Sequence, residues 1–208
     1  MKINFIKTMF LLALSSSALI SCVGDDDYVI PGINQVFFLE EFTTAQINTP
    51  ITITGWSNVS LNGGNRKWEA KTFDGEFYTQ LSAFGSGETN MDTWLITPAI
   101  NFDETKNETF AFLYKAAFYN GNPITVLISQ NYDGTGTIAA VNAATWTTLN
   151  SSLPDYATSG YPASFSNSGP IDVSDYNGNV HIAIRYKGGS TGISTTYQID
   201  DIKLYENN

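Results

Sequence analysis

An antiparallel β-sandwich is the fold class that the sequence predicts, and three features predict it. Apolar and polar residues alternate with a period of two over several stretches. Clusters of Gly, Asn, Asp and Ser separate those stretches at short intervals. After residue 21 no stretch shows the 3.6-residue periodicity of an amphipathic helix.

The elements follow in chain order. Residues 36–42 form the first predicted strand, and 51–59 reads as a second extended piece. Gly63-Gly64-Asn65 is a turn before a strand at 67–73. Asp74-Gly75 is a hairpin signal leading into 76–82, because both residues tolerate the positive φ that tight hairpin turns need. A loop at Gly85-Ser86-Gly87 precedes a strand at 94–97, which Pro98 ends for want of a backbone N–H. The alternation is clearest next. Phe110, Phe112, Tyr114, Ala116 and Phe118 share one face. Ile124, Val126 and Ile128 alternate with Thr125, Leu127 and Ser129. Val180, Ile182, Ile184 and Tyr186 alternate with His181, Ala183, Arg185 and Lys187. A turn-rich segment, 151–170, lies between these strands, and 196–205 is the last strand. Trp56, Trp68, Trp94 and Trp146 sit in strand-like surroundings and are expected in the core.

Composition bounds the function. Acidic residues number 20 against 10 basic ones, for a formal charge of −10. Such a surface repels nucleic acid, so no nucleic-acid partner is expected. Cys22 is the single cysteine, which excludes a disulfide framework and a cysteine-based metal site. His181 is the single histidine, which excludes a multi-histidine metal site. It is expected on the second face of its strand or towards solvent. There is no G-x-S-x-G and no H-E-x-x-H. Asn131-Tyr132-Asp133-Gly134 reads as a plain hairpin loop rather than a calcium loop, because it lacks the acidic twelfth position.

The first 35 residues read as an address. Lys2 and Lys7 precede an apolar run from Met9 to Ile20, the pattern of a secretory signal peptide. Leu19-Ile20-Ser21-Cys22 resembles the lipobox of bacterial lipoproteins, in which the cysteine is lipidated and becomes the new N-terminus. Residues 1–21 are then the signal peptide and 22–35 an acidic flexible tether containing Asp25-Asp26-Asp27. The single domain spans 36–208. Acyl chains such as palmitate would hold Cys22 to a membrane by burying methylene groups. The acidic cluster resembles the export signal of Bacteroidota surface lipoproteins, so the expected place is the cell surface, lipid-anchored in the outer membrane.

A wider resemblance rests on an ordered set of phrases. These are Phe38-Leu39-Glu40-Glu41-Phe42, Gly55-Trp56, Asp92-Thr93-Trp94-Leu95-Ile96-Thr97-Pro98, Val180-His181-Ile182-Ala183-Ile184-Arg185-Tyr186 and Ile199-Asp200-Asp201-Ile202. The set resembles the choice-of-anchor J and cleaved-adhesin group of MAM-like domains. Asn120-Gly121-Asn122-Pro123 and Thr196-Tyr197-Gln198-Ile199-Asp200 bring it nearest to DUF5017-type lipoprotein domains. The resemblance implies a jelly-roll sandwich of two antiparallel sheets, roles in adhesion or glycan association, and a structural calcium.

That calcium would take Glu40 or Glu41 from the first strand and Asp200 or Asp201 from the last, with oxygens of Asn62 and Asn65. Calcium prefers six to eight such oxygens. Arg66 and Lys67 follow this turn, so the residues leave two readings open: a bound ion, or Arg66 paired with the acids. Ligand contact is expected from loop residues Tyr119, Asn120, Asn122, Tyr132, Tyr156 and Tyr161, with Phe165 beside them, since sugars stack on aromatic rings and bond to amides. The expected function is non-catalytic binding of a glycan or a surface protein. Its rivals are an accessory subunit of an envelope complex and a polysaccharide hydrolase, which would need two carboxylates flanking the scissile bond.

Overall fold

In the computed structural model, which describes residues 34–207, backbone hydrogen bonds sort the strands into two antiparallel sheets. The expected leader, Cys22 and nearly all of the tether lie outside the described residues. The strands are β1 (Gln35–Glu40), β2 (Ser57–Ser60), β3 (Glu69–Phe73), β4 (Glu76–Leu81), β5 (Met91–Ile96), β6 (Ile100–Asn101) and β7 (Glu108–Ala117). After them come β8 (Ile124–Ser129), a short helix α1 (Ile138–Ala143), β9 (Thr147–Thr148), β10 (Ser166–Asn167), β11 (Ile171–Asp172), β12 (Asn179–Gly188) and β13 (Thr196–Glu206). Gln35, assigned above to the tether, pairs with Glu206 and opens β1.

The first sheet runs β10-β7-β13-β4-β3, with β1 beside β13 and β11 beside β7. The second runs β2-β5-β12-β8-β9, with β6 beside β12. Inward-facing side chains fill the space between them. Phe112, Tyr114, Tyr197 and Ile199 come from the first sheet, and Leu95, Val126, Ile182 and Ile184 from the second; all are buried. Trp68 is fully buried among them, edge-on to Tyr186 at 6.4 Å.

β13 organises the first sheet. One of its edges follows β7 over most of its length. Its other edge pairs with β4 at Tyr197–Ile199 and then with β1 from Ile202 onward. Between these partners the register shifts at Asp200–Lys203, and Asp201 takes a positive φ of 46°. This is a bulge, and it reverses the inside–outside parity of the strand. Ile199 and Ile202 are therefore both buried in the core, which strict alternation forbids.

The outer face of the second sheet carries its own apolar layer. Trp94, Ile96, Leu127 and Ala183 pack under Tyr132, Val141 and Trp146 from the excursion between β8 and β9. α1 belongs to this cover and contradicts the expectation of no helix. At six residues it is too short to show a period. Its one sequence signal is Thr137, whose Oγ1 accepts a hydrogen bond from Ala140 N at 3.0 Å. His181 lies in this layer, with Nδ1 2.8 Å from Thr97 O and Tyr132 edge-on to its ring. It is on the second face, as expected, but covered rather than solvent-facing.

Candidate functional site

Among the described residues no such apolar layer covers the outer face of the first sheet. Most of its outward residues are polar, Gln80 and Ser82 on β4 and just beyond it, Thr196 and Gln198 on β13 and Lys115 on β7, with Tyr78 the aromatic exception on β4. They bond to one another in register. Gln198 Nε2 donates to Gln80 Oε1 at 3.0 Å, and Thr196 Oγ1 to Ser82 Oγ at 2.9 Å. Across this floor lie two depressions, of about 370 and 610 Å³, which share Gln80 and Tyr161. Together they form one trough running along β4. The first holds Arg66, Lys67 and Phe84 at the Ser82 end, and the second holds Phe73, Asp74 and Glu76 at the other. Six strand residues at about 3.4 Å each make the trough roughly 20 Å long.

Aromatic rings stand around the floor. The 151–170 segment supplies Tyr161 and Phe165. Phe165 packs on Tyr78 at 6.0 Å and receives the Lys115 ammonium over its face at 4.7 Å. Phe118 meets Tyr161 edge-on at 5.4 Å. Phe118 adopts φ 50°, a conformation uncommon for a bulky side chain, held by its N–H donating to Gly160 O at 3.2 Å. Strain of this kind persists where the surrounding structure fixes it, and such places are often binding sites. Phe84 is 78% exposed and Phe73 is 74% exposed, so the largest uncovered rings lie at the two ends. Apolar rings over a floor of amides and hydroxyls, in a volume of this order, are the ordinary composition of a small-molecule or glycan site.

Of the six loop residues expected to touch ligand, only Tyr161 lines the trough. Tyr156 is exposed but stacks on Tyr119 at 4.0 Å, outside the lining residues. Asn120 is a brace: its Oδ1 accepts from Ser194 N at 2.9 Å and Thr195 N at 3.1 Å. Asn122 is another, its Oδ1 accepting from Ile124 N at 3.0 Å and the Tyr197 hydroxyl at 3.1 Å. Tyr132 is buried, donating to Ser57 Oγ at 3.0 Å, and offers no ring to solvent. Loop position by itself misled here because the floor of the site is built on strands, while its rings and cations come largely from other loops. Glu69, Gln80 and Gln198 were missed. Their signal was polar residues at outward positions of strands that flank an open face.

The expected calcium residues also separate. Asn62 Nδ2 donates to Asn90 O at 2.9 Å, and Asn65 N donates to Glu88 Oε1 at 2.7 Å, so both are tied to the 88–90 loop rather than to the acids of β1 and β13. Glu40 Oε1 accepts from Phe42 N at 2.7 Å. Arg66 pairs with none of the four acids; its Nη2 reaches Gly85 O at 3.5 Å. Among the described residues no group of three or more His, Cys, Asp or Glu is arranged to hold a metal ion. The junction still carries unrelieved charge. Asp200 is buried, and its Oδ1 accepts from Asp201 N at 2.8 Å. Burial above all pushes its carboxyl up to about 7, and the charges of Asp201, Glu76 and Glu41 add to the rise against the Asp201 hydrogen bond.

No family model matches the chain, and no curated protein matches it. Solved structures do share its fold. The K2 cleaved adhesin domain of Lys-gingipain superimposes with a TM-score of 0.58 at 15% identity, covering 82% of this chain and 99% of that domain. The K3 cleaved adhesin domain of the same protein, from Porphyromonas gingivalis, gives 0.54 at 14% identity, covering 84% and 100%. The chain is therefore a jelly-roll β-sandwich of the kind seen in those adhesin domains, as the sequence led one to expect.

Proposed function

We propose that this chain is a non-catalytic binding module that holds a glycan chain along the trough on the outer face of its first sheet. One observation carries the reading: an uncovered sheet face combines exposed rings with a hydrogen-bonded amide and hydroxyl floor. Phe84 and Tyr161 would stack on the C–H faces of sugar rings, and Gln80 and Gln198 would bond to their hydroxyls. A protein ligand is the second reading. It is supported by the adhesin domains among the fold neighbours and by the exposure of Phe73 and Phe84.

Affinity electrophoresis of the soluble domain in gels cast with polysaccharides tests the first reading. Retardation by at least one glycan, lost in Phe84→Ala and Tyr161→Ala, is expected. Silence across glycans with a clean pull-down of one envelope protein would hand the function to the second reading. Turnover of any glycan would replace both with a hydrolase.

Two finer proposals accompany this one. A DUF5017-type surface lipoprotein would carry its anchor on Cys22, and Cys22→Ser would release the chain from the outer membrane and abolish labelling by a fatty acid. A structural calcium would sit at the β1–β4–β13 junction on Asp200 and Asp201, with the exposed side chains of Glu41 and Glu76 turning inward to complete it.

A further inference from the structure

The charge around the trough says more about its ligand. Building on the trough as the binding site, we propose that its ligand is an acidic glycan, whose carboxylate or sulfate group docks on Arg66 and Lys67 beside Phe84.

The chain carries only 10 basic residues against 20 acidic ones. Three of them, Arg66, Lys67 and Lys115, line this one trough. Arg185 and Lys71 are committed elsewhere, while Lys106, Lys187 and Lys203 line neither depression. Arg185 makes a two-pronged pair with Asp92, Nε to Oδ1 at 2.7 Å, and its guanidinium lies over Trp94. Lys71 pairs with Glu69 at 2.7 Å, which neutralises the one carboxylate lining the Arg66 end. Those two are the ion pairs found among the described residues. Glu88 is the acid drawn up to the Arg66 loop. Its Oε1 is taken by the backbone N–H groups of Asn65 and Arg66, at 2.7 and 3.0 Å, so it faces the backbone rather than the guanidinium. Arg66 and Lys67 thus hold two cations without an ion-pair partner at the wall of an otherwise acidic molecule. A general solubilising role does not explain that placement, since the net charge already serves solubility with the opposite sign.

The other end of the trough is net acidic, with Asp74 and Glu76 against the single cation Lys115, whose ammonium lies over Phe165. An anionic group is repelled there and attracted at Arg66, so the charge gradient would also fix which way a chain lies. Arg meets a carboxylate or sulfate through a planar fork of donors, while Lys adds a mobile point charge.

The test compares affinity gels containing polygalacturonate, which carries carboxylates alone, dextran sulfate, which carries sulfates alone, and mixed-linkage β-glucan as a neutral control. Retardation by one acidic polymer and not by the β-glucan is expected, and the polymer that retards identifies the group. The double variant Arg66→Gln/Lys67→Gln should weaken that binding about tenfold, the effect of removing one or two charge-assisted hydrogen bonds. Raising salt from about 0.05 to 0.3 M should weaken the wild type and leave the double variant nearly unchanged. Its circular dichroism melt should match the wild type, since both side chains are partly exposed. Equal retardation by the neutral glucan, or acidic binding unmoved by the double variant, would overturn the acidic ligand; if Phe84→Ala still abolished that binding, the trough would stand. No retardation by any glycan would instead remove the trough reading itself.

Discussion

Over the second sheet, Trp94, Leu127 and Ala183 lie beneath Tyr132, Val141 and Trp146; over the first, Gln80, Thr196 and Gln198 lie beneath a trough. The same sandwich thus closes one outer face and leaves the other open. The difference begins in the strands. β5 is buried along its whole length, Met91–Ile96, with apolar side chains on both faces, which marks a strand covered on two sides. β4 and β13 put amides and hydroxyls outward instead. A face whose outward residues bond among themselves needs no apolar cover, so it can remain available to a ligand. Even the aromatic contacts divide along this line. Trp94 and Trp146 meet at 5.1 Å inside the closed layer, whereas Phe84 and Phe73 are left largely exposed at the ends of the open one.

Substitutions on the two faces should separate stability from binding, and four experiments press on that division. The largest effect on stability is expected from Trp94→Ala. It removes a buried ring, its hydrogen bond to Asp92 Oδ1 and the platform under Arg185. The loss should be about 3–5 kcal/mol in urea unfolding, with unchanged ligand affinity for the folded protein. A cost below about 1 kcal/mol would mean the layer is not a true second core.

Asp200→Asn comes next and depends on pH. The folded carboxyl titrates at about 7, above the usual carboxylate range. Between that range and pH 7 the folded chain keeps a proton that the unfolded chain has lost. Stability therefore falls as pH rises through this window, and the loss is complete above it. The variant should match the wild type near pH 4 and melt several degrees higher at pH 8. Identical melting curves at both pH values would show that Asp200 is not burdened by its neighbours.

Calcium supplies the third test at the same junction. Millimolar calcium at pH 8 should raise the wild-type melting temperature, EDTA should reverse the rise, and Asp200→Asn should abolish the response. No response to either reagent removes the ion from the account. The smallest stability effect belongs to Phe84→Ala and Tyr161→Ala, each expected within about 0.5 kcal/mol of the wild type because exposed rings have little packing to lose. The same changes should have the largest effect on glycan binding. A large destabilisation would reassign those rings to the fold.

Much of the architecture was legible in the chain. The strands β7, β8 and β12 and the hairpin at Asp74-Gly75 follow from period-two alternation and from residues that accept positive φ; Asp74 and Gly75 have φ of 53° and 87°. The short strands β6, β9, β10 and β11, of two residues each, left no pattern long enough to read. α1 was hidden for the same reason. The two aspartates of β13 could not be told apart by alternation because the bulge lies between them. The ligand residues were sought in loops, and Tyr161 and Phe165 are shared between that expectation and the trough.

By itself, the sequence determined a sandwich of antiparallel strands with a strongly acidic surface, because both follow from local patterning and a count of charges. Only the tertiary structure decided which outward face was covered, where β13 changed partners and which cations were left unpaired. Those outcomes depend on residues far apart in the chain, such as Gln80 with Gln198 or Arg185 with Asp92, meeting across strands. No local period encodes the register of such meetings; the packing of the whole sandwich sets it.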